Sequence, residues 1–256
     1  MDVVVLVPRR PEPWRDQLWR YVREQVEANV DWPIVEGLDE SEQPMNRAAA
    51  RNRAAEQAGD WDVAVFLDAD TVPDFDNLQR AAALAGDGPL VCVQDKFHSI
   101  DRKGTERVLA GEIEPHKAPL RWTYPNPKSS CIAIGRDLWD ATGGYDERFQ
   151  GWGWEDSSLY HACQALAGVE RLKGGCFHLW HPKSEEKDPG LAAYQANAEL
   201  GARYKAARHN AEEMGAILSE AGGPLGEAFL SGGVVPVPRP DVPESIRVQA
   251  GEAVRL

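Results

Sequence analysis

The sequence predicts an α/β protein with a mostly parallel central sheet and helices on both faces. Apolar runs at residues 3–7 and 63–67 are continuous, as in strands that are covered on both faces. Each run is followed by a segment whose apolar residues recur at helical spacing, at 14–30 and at 75–85. Such alternation of strands and helices is typical of a parallel sheet, and 256 residues suffice for one domain of this kind.

The remaining elements follow in order along the chain. Further strands are predicted at 33–37, 89–97, 130–134 and 175–177, and further helices at 46–58, 136–142, 155–167 and 194–218. Residues 98–127 are polar and interrupted by proline, so we expect a loop-rich insertion of the kind that shapes a binding site. Because the sequence beyond Gly222 is rich in Gly and Pro, we expect a folded domain over residues 1–220 and a Gly/Pro-rich C-terminal extension over residues 221–256.

The composition restricts the class of partner. The net charge is −13, which disfavours loose binding to nucleic acid or to anionic membranes. The longest apolar run near the N-terminus, at 3–7, is too short for a signal sequence or a membrane span, so we expect a soluble, cytoplasmic protein. The four cysteines are scattered and are expected to be buried thiols.

The acidic pair Asp68 and Asp70 directly follows the apolar run at 63–67. Residues two apart in a strand share a face, so the two carboxylates are expected to repel each other unless a cation is present. Oxygen ligands of this kind suit Mg²⁺ or Mn²⁺. His178 and His181 lie three residues apart, and imidazole ligands favour Mn²⁺. All four are candidate metal ligands, while solvated acids and surface histidines are the simpler interpretation of each pair alone.

The segment from Gly151 to Asp156 joins a Gly/Trp loop at 143–154 to the helix that follows it. Glycine lets the backbone approach a ligand closely, and the ring of Trp152 has a flat apolar face on which a sugar can stack. Carboxylates in the first turn of a helix are kept ionised by the helix dipole, as a general base requires. Glu155 and Asp156 are therefore candidate catalytic residues, with a capped helix beside a core tryptophan as the alternative.

Four arginines lie near the predicted carboxyl edge of the sheet. A guanidinium group can hold a phosphate through two parallel hydrogen bonds, so these residues are candidate ligands of a nucleotide. Solvated surface arginines are the simpler alternative. The four residues are Arg9, Arg10, Arg47 and Arg51.

Taken together, these segments resemble the GT-A-fold glycosyltransferases, and most closely the β-1,4-galactosyltransferase group. The chain is also similar to the polypeptide N-acetylgalactosaminyltransferases and to bacterial family 2 glycosyltransferases. The resemblance spans roughly residues 3–182 and rests on five matched segments in the same order. These are the strand end with Pro and Arg at 7–10, the Asn-Arg-Ala helix start at 46–48, the Asp-x-Asp at 68–70, the Gly-Trp-Gly-x-Glu-Asp at 151–156, and the ligand pair His178 and His181.

The resemblance implies a GT-A fold, a reaction and a set of site residues. The implied reaction is metal-dependent transfer of a sugar, with inversion, from a UDP-sugar donor to a hydroxyl group of a glycan, a protein or a small molecule. Mn²⁺, or Mg²⁺, is the implied cofactor. The implied roles are donor binding by Pro8, Arg10, Arg47, Asp68 and Trp152, metal binding by Asp70, His178 and His181, general-base catalysis by Asp156, and acceptor binding by Glu155.

Two other functions remain as alternatives. Residues 66–72 also fit the nucleophile motif of haloacid-dehalogenase-type phosphatases, in which Asp68 would be phosphorylated, although that motif normally lies on the first strand. The second alternative is a non-catalytic sugar-binding protein with the same GT-A scaffold. Nucleic acid is the less expected acceptor, because of the net charge.

Overall fold

The computed structural model describes residues 1–40, 44–86, 88–182 and 187–223. The strands in these ranges are β1 (Val3–Arg9), β2 (Ile34–Leu38), β3 (Val63–Leu67), β4 (Thr71–Val72), β5 (Leu90–Cys92), β6 (Lys96–Ile100), β7 (Leu120–Pro125), β8 (Cys131–Gly135), β9 (Val169–Arg171) and β10 (Gly175–His178). The helices are α1 (Pro13–Asn29), α2 (Arg47–Gln57), α3 (Phe75–Ala85), α4 (Arg102–Leu109), α5 (Arg136–Thr142), α6 (Glu155–Leu166), α7 (Ala192–Ala207) and α8 (Ala211–Glu220).

The larger sheet has the strand order β2-β1-β3-β8-β5-β9. β1 runs parallel to β2 and to β3, and β5 runs parallel to β9. β8 is antiparallel to both of its neighbours, β3 and β5. Five strands therefore point one way and β8 points the other, which confirms the prediction of a mostly parallel sheet.

Helices cover both faces of this sheet, as the sequence predicts. Successive residues of a strand point to opposite faces, so Val5 and Leu6 belong to different hydrophobic clusters. Val5 packs in a cluster with residues of α1 and α3, whereas Leu6 packs in a cluster with residues of α2, α5 and α6. Both side chains are fully buried, and burial of a side chain of this size contributes about 1.5–3 kcal/mol to stability.

A smaller sheet has the strand order β4-β10-β6-β7. β10 runs antiparallel to β4 and parallel to β6, and β7 is antiparallel to β6 at the edge. β4 begins at Thr71, directly after the acidic pair that follows β3. Because β10 pairs with β4, the C-terminal end of β10 lies close to the C-terminal end of β3.

The prediction of one strand over residues 89–97 is wrong. The chain leaves the larger sheet after Cys92 and enters the smaller sheet at Lys96, so this segment forms two strands. The predicted loop-rich insertion at 98–127 is also wrong in part, because it contains α4 and β7. α4 begins at a cap that the pattern did not indicate, in which the Asp101 carboxylate accepts from the Gly104 amide at 2.6 Å.

The single helix predicted over 194–218 is interrupted. α7 ends at Ala207 and α8 begins at Ala211, where the Asn210 side chain accepts hydrogen bonds from the amides of Glu212 and Glu213. An asparagine at this position starts a new helix because its side chain satisfies amides that lack a partner in the first turn. The short strand β9 was not predicted.

The C-terminal extension falls outside the described residues from position 224 onward, so the division at 220/221 stays a prediction. All four cysteines are buried free thiols, as expected. Among the described residues, no helix has both the length and the apolar character needed to cross a bilayer.

Candidate active site and metal centre

The two sheets bring the acidic pair and the histidines together. Asp68 directly follows β3, and Asp70 directly precedes β4. β10 pairs with β4 so that His178 lies opposite Thr71, and the amide of Leu179 donates to the Asp70 carbonyl at 2.8 Å. Backbone pairing between two strands, rather than side-chain attraction alone, therefore places His178 beside Asp70.

Asp70, His178 and His181 form a candidate metal centre. One ligand atom from each of the three residues lies within 4.8 Å of the others. The His178 Nε2 is 3.5 Å from Asp70 Oδ1, and the His181 Nε2 is 3.3 Å from Asp70 Oδ2. The Nδ1 atom of His178 is buried and has no hydrogen-bond partner among the described residues. Two imidazoles and one carboxylate suit a transition metal such as Mn²⁺, so the residues present fit the metal that the resemblance implies.

The protonation states also suit a cation. Burial acts to raise the pKa of Asp70, but the neighbouring His178, His181 and Arg15 more than offset it and hold this pKa below its ordinary value. Burial lowers the pKa of His181, with Asp70 acting against the shift. The carboxylate is therefore ionised and the His181 ring neutral, which are the forms that bind metals.

Arg15 is a residue of this centre that sequence reasoning missed. Its guanidinium lies 3.4 Å from Asp70 Oδ2 and 3.3 Å from His181 Nδ1. Arg15 stands in the first turn of α1, directly after β1, and helices that follow parallel strands begin at the ligand-binding edge of the sheet. Its place in the first turn of the helix that follows β1 was the feature of the sequence that could have indicated a role for Arg15.

Arg51 joins the acidic pair to the residues at the start of α6. Its Nη2 lies 3.0 Å from Asp68 Oδ1 and 3.1 Å from Asp156 Oδ1, and its Nη1 lies 3.5 Å from Glu155 Oε1. The Arg51 side chain is only 4 % exposed and stacks on the ring of Tyr145 at 4.9 Å. Arg51 thus has three carboxylates as neighbours in this structure, and its predicted contact with a nucleotide stays a prediction.

Asp156 has the electrostatic character of a base that titrates near neutral pH. Burial raises its pKa to about 7, against the attraction of Arg51 and with the added repulsion of Glu155 and Asp68. A pKa near the working pH is the optimum for general acid–base catalysis. Its Oδ1 atom is buried and lies 3.1 Å from Arg51 Nη2, an ion pair without hydrogen-bond geometry, so this oxygen can still accept a hydrogen bond from an acceptor hydroxyl.

The predicted phosphate ligands Arg9 and Arg10 are both held by acidic residues. Arg9 forms ion pairs with Glu36 and with Asp16, the latter at 2.5 Å. Arg10 pairs with Asp39 at 2.7 Å. Glu36 and Asp39 also line an open cleft of about 550 Å³ at the carboxyl end of β2. This cleft adjoins the predicted nucleotide ligands.

Two other predicted donor ligands have partners in the fold. Pro8 is buried in β1, opposite Gly37 of β2. Arg47 begins α2, after the Asn46 cap, and donates to the carbonyl of Gly151 at 2.6 Å. This bond connects α2 to the Gly/Trp loop.

Trp152 packs against the segment that begins α7. Its ring is stacked on Tyr194, with centroids 6.0 Å apart, and the Lys187 ammonium lies 4.5 Å above it. Trp154 has a positive φ of 70° at the N-cap of α6, an unusual conformation for a residue with a Cβ. Its ring fills the space over Gly201 of α7.

A second set of residues missed by sequence reasoning lies on the smaller sheet. Trp122 and Tyr124 of β7 are 46 % and 38 % exposed, and both stack on Phe97 of β6 with ring planes within 24° of one another. Phe97 in turn contacts the ring of His178, with centroids 5.2 Å apart. The exposed rings of Trp122 and Tyr124 are therefore connected, through Phe97, to a residue of the candidate metal centre. Alternation of Leu120, Trp122 and Tyr124 was its sequence signal.

The fold and the family comparison together define a nucleotide-sugar glycosyltransferase. The chain belongs to glycosyl transferase family 2, whose family model matches residues 15–162, more than half of the chain. This membership confirms the resemblance to the family 2 enzymes. No curated protein sequence matches the chain significantly.

One solved structure shows the same fold at low sequence identity. The catalytic domain of Drosophila β1,4-galactosyltransferase 7, in complex with xylobiose, is 16 % identical, with 77 % of this chain and 80 % of that chain covered and a TM-score of 0.50. This similarity confirms the predicted GT-A fold. Another match is Mycobacterium tuberculosis glucosyl-3-phosphoglycerate synthase in complex with Mn²⁺, UDP-glucose and phosphoglyceric acid, which is 18 % identical, with 81 % of this chain and 79 % of that chain covered and a TM-score of 0.42. A third is GalNAc-T7 with UDP, GalNAc and Mn²⁺, which is 13 % identical, with 90 % of this chain and 56 % of that chain covered and a TM-score of 0.48.

Proposed function

We propose that this protein is a metal-dependent, inverting glycosyltransferase that moves a sugar from a UDP-sugar to an acceptor hydroxyl. The observation that carries the proposal is the convergence of Asp70, His178 and His181, which are far apart in sequence, on one point at the sheet edge. When bound there, a divalent ion such as Mn²⁺ supplies positive charge that stabilises the departing diphosphate.

The other proposed roles, which are proton abstraction, positioning and substrate binding, belong to side chains of this protein. Asp156 takes the proton of the acceptor hydroxyl as its oxygen forms a bond to the anomeric carbon, and the bond to the diphosphate breaks on the opposite side. Arg51 holds Asp156 and Asp68 in place through the ion pairs at 3.1 and 3.0 Å. Glu155, at the same helix start, is the proposed acceptor ligand. Further donor contacts come from Pro8, Arg9, Arg10, Arg47 and Trp152.

The acceptor is proposed to lie against Trp122 and Tyr124. Both rings are partly exposed, Trp122 to 46 % and Tyr124 to 38 %. The buried part of Tyr124 raises its pKa to about 12, and Cys176, Asp68 and Asp156 add to this shift. Tyr124 is therefore within electrostatic reach of the proposed base. A ring with a flat apolar face, as in a pyranose, is the ligand that such a surface suits.

The experiment that tests the proposal is a melting-temperature panel of nucleotides and nucleotide sugars, with and without Mn²⁺. Ligand at 100 times its Kd stabilises a protein by about 2.7 kcal/mol, so we expect UDP and one or more UDP-sugars to raise the melting temperature only with Mn²⁺. The variant His178→Ala should lose this response, while His209→Ala, which changes an exposed histidine, should retain it. A response that is equal in His178→Ala would contradict the proposed metal centre.

The phosphatase alternative is contradicted by family membership. An assay of Mn²⁺-dependent donor hydrolysis or transfer distinguishes the enzyme from the non-catalytic alternative. A sugar-binding protein would bind the donor without hydrolysing or transferring its sugar.

A further inference from the structure

A group of cations, here called the basic cluster, lies at the same edge of the larger sheet as the acidic pair. Lys128 immediately precedes β8, whose first residue pairs with the last residue of β3. Arg171 ends β9, beside the end of β5. Lys205 and Arg208 stand at the C-terminal end of α7, and their charges act on Lys128 and on His161. The basic cluster consists of these four residues.

The basic cluster is built around one aromatic ring and one histidine of α6. The Lys128 Nζ lies 3.1 Å from His161 Nε2 and 5.3 Å from the ring centroid of Tyr160. The Arg171 guanidinium lies 5.9 Å from the same ring. It also donates to the carbonyl of Gln94 at 3.0 Å, which fixes its position.

Three other cations act on Lys128, and the Cys92 thiol acts in the opposite direction. Burial lowers the pKa of this lysine, and Lys205, Arg171 and Arg208 lower it further. Burial and the same kind of neighbours lower the pKa of His161 to about 4, so its ring is neutral and accepts a hydrogen bond from Lys128. A group of like charges repels itself, and its occurrence in a protein of net charge −13 indicates a site for an anion.

The aromatic ring of the basic cluster lies on the same helix as the proposed base. Tyr160 follows Asp156 by four residues on α6, so the two side chains share a face, one turn or about 6 Å apart. Burial raises the pKa of Tyr124, Asp156 raises it further, and Arg171 acts against the shift.

We propose that the basic cluster binds a phosphate group of the acceptor, while the acceptor hydroxyl meets Asp156 and its ring lies against Tyr124. This inference rests on the proposed function and names a class of acceptor for it. A phosphate dianion matches four cations better than a single carboxylate does. It also accepts hydrogen bonds from Lys and Arg in several directions.

Inorganic phosphate is the probe, added to the metal-free protein in EDTA so that no cation occupies the candidate metal centre. We expect a saturable change in the NMR signal of His161 and a rise in its pKa, because bound phosphate compensates the cations that suppress its protonation. Lys128→Met should weaken phosphate binding by about tenfold or more. The matched control Lys103→Met removes an exposed lysine of α4 and should bind phosphate like the natural protein.

A second variant, Lys205→Met with Arg208→Met, keeps the test valid if Lys128→Met does not fold, and it should weaken phosphate binding similarly. The proposal is overturned if His161 does not respond to phosphate, or if the response is equal in all variants. If the natural protein shows no phosphate response but an intact Mn²⁺-dependent response to UDP, the acceptor class alone is refuted. If the natural protein responds to phosphate but not to UDP with Mn²⁺, the proposed function is refuted instead.

At the level of activity, a phosphorylated sugar should be a better acceptor than the same sugar without phosphate. Lys128→Met should raise the KM for the phosphorylated acceptor at least tenfold and abolish this preference. Equal KM values for the two acceptors in the natural protein would contradict the proposal.

Discussion

At the residue scale, the site is organised by one buried guanidinium among three carboxylates. Arg51 contacts Asp68, Asp156 and Glu155 within 3.5 Å. One positive charge cannot compensate three negative charges, so the carboxylate with the greatest cost of ionisation keeps its proton to higher pH. Asp156 is that residue, with a pKa of about 7.

Asp156→Asn is expected to abolish most of the transfer activity. The amide has nearly the same shape as the carboxylate but cannot accept a proton, and loss of a general base costs about 10²–10⁴-fold in rate. UDP and Mn²⁺ should still raise the melting temperature of the variant, because donor and metal ligands are unchanged. Normal turnover by Asp156→Asn would show that the base lies elsewhere.

The pH profile of the natural protein should report the same group. Because the base must be ionised, kcat/KM should fall as the pH drops below about 7. The measurement is the rate at saturating Mn²⁺ between pH 5 and pH 9, the range being chosen on either side of that pKa. The residual activity of Asp156→Asn should lack this acidic limb, and an identical limb in the variant would assign it to another group.

At the scale of elements, α7 supports the loop that carries the catalytic residues. A Cβ atom built on Gly201 would lie 2.4 Å from the ring of Trp154, which caps α6 and precedes Glu155. Asn197 of α7 also donates to the carbonyls of Gln150 and Trp152. The absence of a side chain at position 201 therefore allows this packing.

Gly201→Val is expected to destabilise the protein by about 2 kcal/mol or more, because overpacking forces neighbouring groups to move. The free energy of unfolding can be measured by denaturant titration. Ala202→Val introduces the same side chain at an exposed neighbouring position of α7 and should change stability far less. Equal effects of the two substitutions would mean that the Trp154 contact is unimportant.

The edge strand β7 permits a separate test of acceptor binding. Trp122→Ala should raise the KM for the acceptor by up to about tenfold, since stacking on an aromatic ring contributes roughly 0.5–1.5 kcal/mol. Arg121→Ala alters the adjacent residue, which points to the opposite face of the strand, and should leave this KM unchanged. If both variants behave alike, the aromatic surface has no role in acceptor binding.

At the scale of the whole molecule, the buried site affects global stability. Asp156 has a pKa of about 7 in the folded protein against an ordinary value of 3.8, so the folded state binds this proton more tightly than the unfolded state. Protonation of Asp156 therefore contributes to the free energy of unfolding. This contribution is complete below about pH 4 and is lost as the pH rises through 7, and its magnitude is of the order of 4 kcal/mol.

Asp156→Asn should therefore become more stable relative to the natural protein as the pH rises from 4 to 8. Chemical denaturation of both metal-free proteins at several pH values measures this difference. A difference in stability that does not change with pH would contradict the assigned pKa shift.

Much of the fold was predictable because its signals are local. The apolar run at 63–67 is a strand in the structure, and the helix starts at Asn46 and Glu155 lie where the residue pattern places them. The break in the segment 194–218 was missed because the Asn210 cap interrupts a pattern that remains helical on both sides. The two strands within 89–97 were missed because a run of residues does not show which sheet each part joins.

The sequence by itself determined the class of fold, the acidic pair, the histidine pair and the carboxylates at the start of α6, because hydrophobic periodicity and residue chemistry are properties of short segments. Only the tertiary structure decided which groups meet. Pairing of β10 with β4 brings His178 to Asp70, and burial of α2 carries Arg51 to Asp68 and Asp156. Contacts of this kind depend on strand order and helix packing, which residues far apart in sequence settle jointly, and the shifted pKa of Asp156 follows from them.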